Sequence, residues 1–110
     1  MRRRSPNGGT VRIEVRPGFD EAVRAAERPI RNAAAKTVRL LQETEYRQLL
    51  SHPGLHFEKL HGFIEPETGN QMYSIRISGA ARALVCLNDG PSLVLVTLHA
   101  RHDDAYRGNR

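Results

Sequence analysis

The sequence holds a single cysteine, Cys86, no tryptophan and only two lysines, Lys36 and Lys59. It also has no apolar stretch near the ~20 residues that a membrane-spanning helix needs. Each shortage excludes something. A lone cysteine cannot form an internal disulfide, which fits a reducing cytoplasm and excludes a disulfide-stapled secreted scaffold. With 5% aromatic residues the core must be built mainly from Leu, Val, Ile and Ala. Arg2-Arg3-Arg4 has no apolar segment behind it, so it reads as a solvated basic tail and not as a secretory signal. There is no Walker loop, dinucleotide fingerprint, Gly-x-Ser-x-Gly elbow or zinc motif, and no cofactor is expected.

What is present is basic. Seventeen Lys plus Arg stand against twelve Asp plus Glu, a formal charge of +5, and almost all the cations are arginine. Arginine suits bidentate phosphate binding, although an arginine-rich composition arises equally from a GC-rich genome. At 110 residues the chain reads as one domain over residues 10–110, preceded by a flexible basic tail at 1–9.

Residues 10–16 alternate apolar and charged positions, the period of a half-buried strand, and Pro17-Gly18 stops it. Residues 19–28 read as a short helix with Asp20 as candidate N-cap. Residues 29–50 read as one amphipathic helix of about six turns, with Ile30, Ala34, Val38 and Leu41 on one face and Lys36, Arg39 and Glu43 on the opposite, polar one. Residues 55–60 read as extended and 61–71, with Gly62, Pro66, Gly69 and Asn70, as loop. Three strands follow at 72–78, 81–87 and 92–98, the last two joined by an Asn-Asp-Gly-Pro turn. In 72–78, Ser74, Arg76 and Ser78 fall on the polar face, while the unbroken apolar run 93–98 predicts a strand covered on both sides. The order β-α-α-β-β-β predicts an α+β fold, two helices packed on a small, mostly antiparallel sheet with the first strand beside the last-formed ones.

The apolar run ends in His99-Ala100-Arg101-His102-Asp103-Asp104-Ala105-Tyr106, so a buried strand delivers polar chemistry to one sheet edge. Arg76 and Arg82 flank a short turn and can project near one another on the exposed sheet face. There they would hold a phosphate and stabilise the added charge of a pentavalent transition state. Equally, they are solvated or paired with Glu58 or Asp103. His102 can protonate a leaving 5′ oxygen while Glu58 takes the proton of a 2′-hydroxyl, or it forms a structural pair with Asp103. A metal on His-x-x-His-Asp is disfavoured, because residues three apart on a strand face opposite sides. Tyr106 either stacks on a base or anchors the tail. Phe57 and Phe63 read as core.

Gly54-Leu55-His56-Phe57-Glu58-Lys59-Leu60, the Tyr73–Ile77 strand with Arg82 six residues past Arg76, and His102-Asp103-Asp104-Ala105-Tyr106-Arg107 together resemble the RelE/ParE superfamily, toxins of bacterial type II toxin–antitoxin systems. The resemblance covers residues 10–107 and is nearest to plasmid-stabilisation-type members; a similar domain occurs in some helicases. It implies a RelE-like fold, a cognate antitoxin that wraps the domain, and metal-independent cleavage of mRNA in the ribosome. It assigns His102, Arg76, Arg82 and Glu58 to catalysis, and beside them Tyr106, Arg101 and His99 are read as candidate RNA-binding residues. A DNA-gyrase inhibitor without catalysis and a non-toxic interaction domain are the alternatives. The expected partners are antitoxin, ribosome and mRNA, with no membrane.

Overall fold

Residues 10–88 and 91–99 are described by a computed structural model. β1 (Arg12–Val15) leads directly into α1 (Pro17–Ala25). The expected start at Phe19 with Asp20 as N-cap is corrected. Arg16 occupies the cap position and Pro17 opens the helix, because proline's fixed φ and missing N–H suit a first helical turn. Asp20 instead lies in that turn and pairs with Arg24 at 3.0 Å.

α2 (Arg28–Glu43) is shorter than the pattern implied. The Thr44 hydroxyl donates to the Leu40 carbonyl at 2.7 Å. Glu45 then bridges to Thr10, pulling the chain out of helical conformation. A single 3-10 turn, Tyr46–Gln48, follows.

β2 (Glu58–Ile64) enters the region expected to be loop. It pairs with β3 (Gln71–Arg76) through a large bulge, with Lys59 opposite Tyr73 and Ile64 opposite Gln71. Gly62 supplies the positive φ of 82° within that bulge. The Gln71 amide donates to the Leu60 carbonyl at 2.6 Å, one of the groups the bulge takes out of the ladder. β4 (Arg82–Asn88) and β5 (Ser92–His99) complete a five-stranded sheet in the order β1-β5-β4-β3-β2. All neighbours are antiparallel except β1 and β5, which run parallel. The first strand therefore lies beside the last, and β5 is an interior strand, both as expected.

One sheet face, carrying Ile75, Ala83, Val85, Leu93 and Leu95, shares its core with Phe19 of α1 and with Ala34 and Leu41 of α2. Phe57 packs against this core and meets Tyr73 edge-to-face at 5.8 Å. The opposite face holds a second, smaller apolar cluster of Leu60, Met72 and Leu84, with Phe63 and Val96 against it. Ser74, placed by alternation on a polar face, is thereby buried. Among the described residues no helix is long and apolar enough to cross a membrane.

The connection from β2 to β3 is fastened across this second face. Arg16, just past β1 at one sheet edge, grips Glu65, just past β2 at the other, with Nη1 at 3.1 Å and Nη2 at 3.3 Å. Glu65 is only 2% exposed. It also accepts hydrogen bonds from the Glu67 and Thr68 backbone N–H groups and from the Thr68 hydroxyl. Asn70 ties the end of the connection to the Leu87 carbonyl and to Asn88. Burial pushes the Glu65 carboxyl's pKa up, but the Arg16 guanidinium and these donors outweigh it, so the group sits below its ordinary 4.5. Cys86 is fully buried, and its thiol is pushed up, chiefly by that burial.

Two outcomes follow for stability. Arg16 is 22% exposed and Glu65 nearly sealed, so removing the arginine strands a buried charge. In denaturant titrations Arg16→Met should cost roughly 3 kcal/mol and Glu65→Gln clearly less. A carboxyl held low in the fold stabilises above its ordinary pKa and loses that contribution as pH falls through the depressed value. The gap between wild type and Glu65→Gln should therefore be full at neutral pH and close below about pH 4.5. Separately, a Cβ at Gly62 meets nothing within 4 Å. Gly62→Ala should cost about 1 kcal/mol from the backbone conformation alone.

Candidate functional site

Directly opposed residues on antiparallel strands point to the same sheet face, with Cβ atoms about 5 Å apart. Arg76 of β3 is opposite Arg82 of β4, and Arg82 is opposite His99 of β5. The three form one row across the sheet, about 10 Å from first to last strand. The next row along is Glu58, Ser74, Leu84 and Thr97. Four of the seven residues singled out in the sequence thus share one end of the face opposite the helices. His102, Arg101 and Tyr106 lie outside the described residues.

His99 reaches this face because of a bulge. The β4–β5 register shifts between Leu84 and Val85, so that Val85 opposes Leu95 and Leu84 opposes Thr97. The additional residue, Val96, turns Leu98 into the main core opposite Ala83 and brings His99 round to Arg82. Strict alternation from Leu93 and Leu95 would have placed His99 on the helix-covered side.

The two arginines differ. Arg76 is exposed, and its backbone N–H is held by the Leu55 carbonyl at 2.9 Å. Arg82 is 9% exposed, where the sequence reading put it in the open beside Arg76. Its Nη1 donates to the Ser78 carbonyl at 3.0 Å and to the Ala81 carbonyl at 3.1 Å. It therefore folds back over the β3–β4 turn, which is also closed by Ala81 N–H donating to the Ser78 hydroxyl. A guanidinium there is a fixed positive charge beside a mobile one. Together they can hold an anion in front of His99, with the Glu58 carboxylate one row away.

Two features were missed in the sequence. Ser74 Oγ is 1% exposed and, among the described residues, has no hydrogen-bond partner. It stands between Glu58 and Leu84 in its row, and the alternation gave no sign that its face was covered. The second is a cleft of about 440 Å³ where α2 meets the end of β3, with Lys36 and Arg39 on its helix side and Arg76 on its sheet side. Lys36 and Arg39 were legible as a polar helix face, but their approach to Arg76 was not. Among the described residues, no cluster of three His, Cys, Asp or Glu has a geometry to hold a metal ion.

The chain's sequence matches no family model and no curated protein. Its fold is similar to a chain in the archaeal RelE–RelB complex from Pyrococcus horikoshii OT3, with a TM-score of 0.62 at 18% identity over 84% of this chain and 97% of that one. It is similar also to a chain in the RelB–RelE antitoxin–toxin complex from Methanococcus jannaschii, with a TM-score of 0.62 at 13% identity over 88% and 99%. A copper-bound mutant toxin from Helicobacter pylori superposes with a TM-score of 0.50 at 13% identity over 86% and 98%. These likenesses establish a RelE-like α+β fold for the chain.

Ser74→Ala removes no hydrogen bond and relieves a buried hydroxyl without a partner. Thermal unfolding should show the variant at least as stable as wild type, with a gain of up to about 1 kcal/mol.

Proposed function

We propose that this RelE-like chain is the toxin component of a type II toxin–antitoxin system, neutralised by a cognate antitoxin. Its proposed activity is ribosome-dependent, metal-independent cleavage of mRNA that stops translation. The observation supporting this most directly is the cross-strand row Arg76–Arg82–His99 with Glu58 in the adjacent row. An anionic substrate with a hydroxyl to activate is what such a set suits: cations for the phosphate and a carboxylate within the same patch for the proton.

In the proposed reaction the exposed Arg76 binds the scissile phosphate, and Arg82, held by two carbonyls, supplies a fixed charge behind it. Glu58 takes the proton of the 2′-hydroxyl, whose oxygen attacks phosphorus. The bond from phosphorus to the 5′ oxygen breaks, and His102, three residues past His99 in the sequence, protonates the leaving oxygen. The products are a 2′,3′-cyclic phosphate and a free 5′-hydroxyl. The arginines act on the extra charge of the pentavalent transition state. His99, Arg101 and Tyr106 are assigned to holding the RNA.

One observation favours a second reading, a gyrase-inhibiting toxin without catalysis. Arg82 Nη1 is already committed to two carbonyls, which leaves it fewer donors for a substrate.

Cell-free translation with primer extension on the mRNA separates the two. Wild-type protein should arrest translation and leave discrete cuts. Arg76→Ala and His102→Ala should each reduce cutting by roughly 100-fold or more while the protein stays folded. Cuts that persist in His102→Ala would remove the assigned acid. Translation that continues unaffected would discard the nuclease reading, and gyrase supercoiling would then test the second.

A further inference from the structure

The cleft between α2 and the end of β3 is separate from the sheet row but shares Arg76 with it. Its rim carries three exposed cations: Lys36 and Arg39, one turn apart on α2, and Arg76 across from them. Its floor is Thr37, Leu40 and Ile77, all buried or half-buried. Gly54 forms part of the wall. A Cβ there would lie 3.1 Å from the His52 ring and 3.7 Å from Leu40, so the wall is already close-packed behind it. Glu43 is the single carboxylate of the lining. Among the described residues, neither Lys36, Arg39 nor Arg76 forms an ion pair.

We propose that this cleft is a docking site for a short acidic peptide segment of a protein partner, bearing an aliphatic side chain between its carboxylates. The charge pattern decides the class. Three cations against one carboxylate call for an anionic occupant, and an apolar floor calls for an aliphatic anchor. A nucleic acid would satisfy the cations, but the lining contains no aromatic ring on which a base could stack. From Lys36 to Glu43 the helix rises about 10 Å, the span of about three extended residues. The aliphatic side chain enters between Leu40 and Ile77, and flanking carboxylates meet Lys36, Arg39 and Arg76. Glu43 repels acid at one end and so sets the direction of the segment.

The consequence for regulation rests on the function proposed above. A carboxylate on Arg76 competes with a substrate phosphate for the same guanidinium, so partner binding in the cleft silences the sheet row without covering it.

The test is a solution NMR titration of the full chain with a capped pentapeptide, one leucine flanked on each side by two acidic residues. The expected result is shifts confined to the amides of the cleft lining, those of α2 from Lys36 to Glu43 and those of Gly54, Arg76 and Ile77, weakened by salt. The same peptide with lysines in place of the acids should leave them unmoved. Lys36→Glu combined with Arg39→Glu should weaken the acidic peptide by at least about tenfold while the spectrum stays dispersed. No shift, shifts elsewhere, or equal shifts with the lysine peptide would overturn the proposal. It would also be overturned if a short single-stranded RNA moved these amides and the acidic peptide did not. Binding is read without any cleavage, so a chain that binds the peptide but leaves translation intact refutes the nuclease reading alone.

Discussion

The register of β3, β4 and β5 is the constraint on which the candidate site depends. Side-chain direction in a sheet has a period of two, so one residue of slip moves every later side chain to the other face. Arg76 and Arg82 are brought together by a regular antiparallel ladder, but His99 joins them only because Val96 is bulged out of register with β4. The same bulge turns Leu98 into the main core. The apolar burial of Leu98 and the aim of His99 are therefore one event. The hydrophobic effect that favours the first holds the second in place, at an energy that a surface histidine could not supply for itself.

The face that carries the row is apolar at its other end. Met72, Leu84, Cys86 and Val94 are all buried there, although no helix packs on that side among the described residues. The β2–β3 connection contributes cover, and the Arg16–Glu65 pair fastens it from one sheet edge to the other. A buried ion pair is a poor source of net stability. Its value here is geometric: five hydrogen bonds onto one carboxylate fix where the connection lies, and the row is left at the end it does not reach.

The architecture was legible in the sequence because it rests on short-range signals. Alternation in residues 12–15 and 72–76, the i, i+4 stripe from Ile30 to Leu41 and the Asn-Asp-Gly-Pro turn each fix one element. Together they give the order and the packing of helices on one face. The boundaries failed where a long-range contact intervened. α2 stops at Glu43 because Glu45 pairs with Thr10, and β2 runs through Gly62 because Gln71 satisfies a carbonyl the bulge releases. Of the candidate site, the residue types and strand positions were legible at Glu58, Arg76 and Arg82, whereas His99 fell one residue past the expected strand and joins the row through the bulge. The burial of Arg82 and Ser74 was not, since alternation reports which face a residue is on and not what lies over that face. Lys36 and Arg39 showed as a solvated helix face, and only the packing of α2 against the end of β3 makes them one side of a cleft.

The burial of Arg82 also bears on how two arginines in one row can do different work. An exposed guanidinium must give up water and rotamer freedom when it grips an anion. One whose Nη1 is already bonded to two turn carbonyls has given up both during folding, so its charge has little left to reorganise. Electrostatic stabilisation of a charge that develops during reaction is most effective from such preset groups. Arg76, with only its backbone pinned by Leu55, keeps the freedom to follow an anion in from solvent or to turn toward the cleft beside it. In the proposed reaction the fixed charge suits the transition state and the mobile one suits capture. That makes Arg76, the only residue common to the row and the cleft among the described residues, the position where a partner could act on both.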